Sequence, residues 1–170
     1  MIFRTLEANE IEVRVSTVKD NGISLLLYKD ARCDMNILDE VIGNEKWQRK
    51  HYECKGNLFC SVGILTENQW IWKDDCGVES YTEKQKGESS DSFKRACFNW
   101  GIGRELYTAP YIWISADKVK YVTAGNKKTT YDKFFIEKIS YDEARKISGL
   151  AIKNQAGKRV FLWQKEVVKK

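Results

Sequence analysis

Of 170 residues only one is histidine and one is proline. The shortage of histidine narrows the chemistry first. Catalysis by a Ser–His or Cys–His couple would depend wholly on His51. That residue stands between Lys50 and Tyr52 in an alternating stretch, where a surface histidine on a strand is the plainer reading. The five cysteines, Cys33, Cys54, Cys60, Cys76 and Cys97, contain no Cys-x-x-Cys pair. They read as reduced thiols, several of them core residues, and no ligand spacing supports a zinc site. No run approaches the roughly 18 apolar residues of a membrane span. The N-terminus, MIFRTLEANEIEVRV, has charges where an export signal needs an apolar run, so a cytoplasmic protein without a membrane partner is expected. A phosphate loop of the GxxxxGK[ST] type is missing as well: Gly101-Ile102-Gly103 is a lone GxG, and lysines follow Gly125 without a second glycine. ATP-driven chemistry is therefore not expected.

What remains is enough for one domain with a real core. Hydrophobic residues make up 42% and aromatics 12%, which argues against disorder. The formal charge of +5 leans weakly toward an anionic partner. There is no internal repeat and no low-complexity segment.

The stretch Tyr81 to Pro110 carries the clearest pattern. Ser89, Phe93, Ala96, Cys97 and Trp100 recur at spacings of three and four, an apolar stripe set against a core. Lys84, Glu88, Asp91 and Arg95 fall near the opposite face with Lys94 on its flank, and Asp91–Arg95 is a candidate i,i+4 pair. Gly101 suits a left-handed C-terminal cap.

Upstream, residues 11 to 28 form a hairpin around Asn21-Gly22. Residues 30 to 42 switch to a helical stripe of Ala31, Met35, Leu38, Val41 and Ile42, with Asp30 as N-cap and Gly43 as stop. Strands are predicted at Trp47 to Cys54, Leu58 to Leu65 and Trp70 to Cys76. Downstream, Tyr111 to Ile114, Lys118 to Thr123, Phe134 to Tyr141, Lys146 to Lys153 and Arg159 to Gln164 are further strands. Gly125 to Lys128 reads as a basic turn, and the tail from Lys165 to Lys170 as a frayed end. The fold class is α+β: an antiparallel meander with a helix packed across it (β-β-β-α), preceded by a hairpin and helix and followed by a small β-rich region. Residues 1–115 are expected as the core and 116–170 as an extension of the same domain.

Two ligand chemistries compete. A metal-dependent nuclease needs clustered carboxylates and a lysine, for which Glu53-Cys54-Lys55 with Asp74, Asp75 and Glu79 are the candidates. Nucleic-acid binding draws on Lys94, Arg95, Arg104, Arg14, Lys19, Lys29 and Arg32 for phosphates. Trp70, Trp72, Tyr81, Tyr107 and Tyr111 are candidates to stack bases, whereas Trp47 and Trp100 read as core. For Lys94-Arg95 a solvated helix face explains the spacing equally well.

The run from Gly43 to Arg104 resembles the Rad-fifty-two superfamily of single-strand annealing proteins, most closely its small phage-encoded members. The resemblance is carried by MNILDEVIG followed by Trp47, FCSVGI (Phe59 to Ile64), WKDDCGVES (Trp72 to Ser80) and SDSFKRACFNWGIGRELY (Ser90 to Tyr107). It implies ATP-independent annealing of complementary DNA strands in recombination, in a bacterial host cell, by a ring or helical homo-oligomer and without catalysis, metal or cofactor. A partner exonuclease or single-strand-binding protein would accompany it. Lys94 and Arg95 would match the family's Lys-Arg that contacts the DNA backbone, and Arg14 or Lys19 a further basic position. Where eukaryotic members have a third basic residue, this chain has Phe98; Arg104 is the nearest substitute. A single-strand coating protein without annealing activity is the second reading.

Overall fold

In the computed structural model, residues 2–78, 84–125 and 127–166 are described. In chain order the elements are β1 (Glu12–Lys19), β2 (Gly22–Tyr28), α1 (Ala31–Ile42), β3 (Trp47–Cys54), β4 (Asn57–Thr66), β5 (Gln69–Cys76) and α2 (Lys84–Trp100). There follow β6 (Ile112–Ser115), β7 (Val122–Ala124), β8 (Lys127–Thr129), β9 (Phe134–Tyr141), β10 (Ile147–Asn154) and β11 (Arg159–Gln164). The protein is α+β with antiparallel sheets, and α2 packs on the three-stranded one. No helix among the described residues is long and apolar enough to cross a membrane.

Two compact units divide the chain: Met1–Thr5 with Lys29–Arg104, and Leu6–Tyr28 with Glu105–Lys170. This is not the division at residue 115. The β1–β2 hairpin belongs with the C-terminal strands, because β1 pairs with β9 at Glu12–Phe135 and Val13–Phe134.

The first unit holds the meander β3-β4-β5 and both helices. Each turn of the meander is two residues with positive φ, Lys55-Gly56 and Glu67-Asn68, which suits the strand twist of a tight hairpin. α2 buries Ser92, Phe93, Ala96 and Cys97, with Ser89 and Trp100 at the margin of that stripe. It ends in a Schellman turn: Gly101, at φ +104, donates to the Phe98 carbonyl at 2.9 Å, and Ile102 donates to that of Cys97 at 3.1 Å. Asp30 caps α1 by accepting from the Cys33 amide at 2.9 Å, and Gly43 closes the helix.

The stripe expected for α1 is corrected. The buried residues are Cys33, Asp34, Ile37 and Leu38, while Val41 is exposed. The physical reason is an ion pair. The Lys29 ammonium bonds both Asp34 carboxylate oxygens at 2.5 Å, so a charged residue occupies the inward face. Burial pushes the Asp34 carboxyl up to about 6, with Lys29 and Lys94 opposing it. Of the cysteines, Cys33, Cys60 and Cys97 are buried, and burial raises the Cys60 thiol to about 11.

The second unit is a six-stranded sheet in the order β11-β10-β9-β1-β2-β6, with β7-β8 as a separate ribbon. Its end strands β6 and β11 approach each other, so the sheet curls toward closure around Ile23, Leu25, Ile114, Leu150 and Ile152. A three-residue helical turn, Ala116–Lys118, stands where the strand from Lys118 was expected to start, and Lys127 and Lys128 open β8 instead of lying in a turn. Glu105 is buried here. Its carboxylate accepts from the Leu6 amide at 2.7 Å, and the Tyr141 hydroxyl donates to the Leu6 carbonyl at 2.7 Å. In the expected frayed tail, Lys165 still donates to the Ser148 carbonyl, and residues 167–170 lie outside the described part.

Candidate nucleic-acid interface

Alternation along three paired strands gives the first unit's sheet two faces of different chemistry. The register Lys50–Ser61–Asp74 and Gly63–Trp72 fixes which residues share each face. One face meets α2. Trp47 stacks on Phe93 at 6.1 Å, the Arg49 guanidinium lies 4.6 Å from the same ring, and His51 Nε2 is 3.2 Å from the Ser89 carbonyl. Trp100 Nε1 donates to the Val62 carbonyl at 2.9 Å, and Lys73 donates to that of Asn99 at 2.9 Å.

The opposite face is open to solvent at Gln48, Lys50, Tyr52, Trp70 and Asp74 and closed at its centre, where Ser61 is buried. It presents Gln48, Lys50 and Tyr52 from β3, Phe59, Ser61 and Leu65 from β4, and Trp70, Trp72 and Asp74 from β5. Trp70 and Tyr52 are 38% and 39% exposed, which is high for aromatic rings in a sheet. Trp70 and Trp72 sit 6.1 Å apart, and Tyr52 stacks on Phe59 at 5.5 Å. The Lys50 ammonium lies 4.4 Å from the Trp72 ring centre, a cation–π contact. Trp72 lies flat over Gly63: a Cβ there would be 2.8 Å from the ring. Asp74 anchors the middle, accepting from Ser61 Oγ at 2.5 Å and from the Tyr52 hydroxyl at 3.1 Å. Partial burial and that hydrogen bond hold the Tyr52 phenol above its ordinary pKa. The arrangement is a row of rigid π-surfaces with one cation and few free donors, suited to planar ligands.

The cations singled out by sequence are scattered and mostly engaged. Lys94 lies 3.9 Å from Asp91, and Arg95 Nε is 3.2 Å from Asp75. Thus Arg95 reaches across to β5, and the anticipated Asp91–Arg95 pair gives way to Asp91–Lys94. Burial draws the Arg95 guanidinium down, but Asp75 and Asp91 outweigh it and raise its pKa. Arg104 donates to the Phe98 and Asn99 carbonyls at 2.7 and 2.8 Å, closing the last turn of α2. Arg32 is 84% exposed beside Asp30, and Lys29 is buried. Arg14 pairs with Glu12 and covers the Tyr28 ring at 5.0 Å, and Lys19 is exposed at the end of β1. These last two belong to the second unit. So do Tyr107 and Tyr111, both well exposed, the latter stacked on Trp113 at 6.2 Å.

The carboxylates proposed for a nuclease do not converge. Asp74 and Asp75 point to opposite faces of β5, one to Ser61 and Tyr52, the other to Arg95 and Asn99. Among the described residues no three His, Cys, Asp or Glu side chains are grouped to hold a metal ion. Tyr81 and Glu79 lie outside the described residues. Lys50, Tyr52 and Phe59 join this face without standing out in the sequence. The signal available was their period-two register with Trp70 and Trp72.

Comparison with protein-family models, curated proteins and solved structures finds no match for this chain.

Proposed function

We propose that the chain binds single-stranded DNA and brings complementary strands together without ATP, as an assembly of several copies. The observation that carries this reading is the open sheet face, where Trp70, Trp72, Tyr52 and Phe59 offer ring surfaces beside the Lys50 ammonium. Bases of any identity stack on such rings, each contact contributing about 1–3 kcal/mol. Stacking engages the flat side of a base and leaves its Watson–Crick edge accessible. That is the property annealing requires: a strand held in place but still legible to its complement. Lys94 and Arg95 would contribute phosphate contacts from α2, weakened by their acidic neighbours. Several copies side by side would turn such weak contacts into avidity.

The test uses a Trp70→Ala/Trp72→Ala double variant. Its affinity for a labelled single strand should fall by about tenfold or more, and its rate of renaturing complementary strands should fall in step. Wild-type binding by this variant, with an unchanged melting profile, would remove the reading. Slower renaturation with wild-type protein than without it would favour the single-strand coating protein instead.

A further inference from the structure

The lysine-rich end of the second unit neutralises few of its own charges. Of the chain's 29 Lys and Arg and 24 Asp and Glu, the second unit carries 16 and 11, and the first 13 and 13, so the whole surplus of five lies in the second. At one end of this unit the β7-β8 ribbon is tied to the β1–β2 turn. The Tyr121 hydroxyl donates to the Lys19 carbonyl at 3.0 Å, and the Lys128 ammonium sits 4.1 Å from the Tyr121 ring centre and 3.4 Å from Asp20. The segment after the ribbon is tied down too. Asp132 accepts from the Lys120 amide and from the Gln155 side chain, both at 2.8 Å, and Gln155 accepts from the Lys133 amide at 2.9 Å.

These bonds matter for what they leave over. The Asp132 carboxylate bonds neutral donors and makes no ion pair with an ammonium. Among the described residues Lys19, Lys120, Lys127 and Lys133 form no ion pair, and all four are exposed. Elsewhere in the unit Arg159 pairs with Glu137 at 2.6 Å and Lys165 with Asp142 at 2.9 Å, while among the described residues Lys118, Lys138, Arg145, Lys146, Lys153 and Lys158 also make no ion pair. These hydrogen bonds bring the backbones of Lys19, Lys120 and Lys133 to one end of the unit, and exposed like charges gathered there attract a polyanion.

We infer that Lys19, Lys120, Lys127 and Lys133 form a binding surface for the sugar–phosphate backbone of a nucleic-acid strand. This deepens the proposed function and rests on it for the identity of the polyanion. Phosphate contacts by lysine carry no sequence information, which suits a protein that must accept any strand.

The experiment is a salt titration of binding to a labelled 40-nucleotide DNA strand, comparing wild type, the Lys120→Gln/Lys127→Gln/Lys133→Gln triple variant and the Trp70→Ala/Trp72→Ala variant. Losing three phosphate contacts should make the log–log salt slope shallower by about 2 and weaken binding on the order of a hundredfold at 0.1 M salt, with the curves converging near 1 M. A triple variant with wild-type slope and affinity, alongside a weakened tryptophan variant, overturns this inference and leaves the proposed function standing. The reverse pattern overturns the aromatic face and keeps the lysine surface. Failure of the wild type to bind DNA, with binding to phosphatidylserine vesicles that the triple variant loses, overturns both. Circular-dichroism melts of all three proteins establish that the variants fold.

Discussion

In the unit built on β3-β4-β5 and the two helices, cations and acids balance, whereas in the six-stranded unit cations exceed acids by five. The difference is one of bonding as well as number. In the first unit Arg95 is tied to Asp75, Lys94 lies by Asp91, Arg104 is spent on helix carbonyls, and Arg32 stands beside Asp30. What this unit offers a ligand is aromatic surface. The second carries the surplus of cations, with Lys19, Lys120, Lys127 and Lys133 exposed. A basic motif on a helix is therefore a poor guide to where a protein's free positive charge resides, since nearby acids can cancel it.

The two units also bury a carboxylate differently, and this gives the strongest way to separate them. Asp34 is matched by Lys29, whereas Glu105 has the Leu6 backbone amide. Lys29→Met should cost about 3–5 kcal/mol in urea unfolding at pH 8, because it strands a buried charge. The deficit should shrink at pH 5. Burial holds the folded Asp34 carboxyl at about 6, above its ordinary value. Its contribution to stability is therefore complete below the unfolded pKa and lost as pH rises through the folded one. Without Lys29 the carboxyl rises further, so the variant loses more at high pH; equal deficits at the two pH values would contradict this. Glu105→Ala should cost less, about 1–3 kcal/mol by the same measurement, the penalty of a buried amide without an acceptor. Glu105→Gln keeps an acceptor and should recover part of it. An Ala variant as stable as wild type would show that water satisfies the Leu6 amide.

The smallest effect concerns α2. Lys94→Ala and Arg95→Ala should each weaken single-strand binding less than tenfold and flatten the salt slope by about 0.7. Both should leave the melting profile intact. A larger loss than in the Trp70→Ala/Trp72→Ala variant would mean that the helix, and not the sheet face, dominates the contact.

Much of the first unit was legible locally. Strict spacing in Phe93, Ala96, Cys97 and Trp100 revealed how α2 is oriented, and Gly101 its end, because both follow from helix geometry alone. The polar turns Lys55-Gly56-Asn57 and Thr66-Glu67-Asn68 marked off β3, β4 and β5 nearly to the residue. Where tertiary partners decide, local pattern failed. Asp34 lies inside α1 only because Lys29 meets it, and counting apolar residues placed Val41 inside instead. The partnership of β1 with β9 spans more than a hundred residues, and neither strand carries a mark of the other. The open face was hidden for a similar reason. Gln48, Lys50 and Tyr52 alternate with Arg49, His51 and Glu53, so both sides of β3 look polar until the register with Trp72 is known. Asp132 shows the limit most sharply: its charge counts against lysine in composition, yet in the fold it binds an amide and a glutamine.

The most direct measurement is photo-crosslinking of a 5-iodouracil-substituted DNA strand to the wild-type protein, with the attachment sites mapped by mass spectrometry. Iodouracil reacts best with an aromatic ring stacked on it, so attachment is expected at Trp70, Trp72, Tyr52 or Phe59. Crosslinks that fall only outside this face would contradict base stacking on the open sheet.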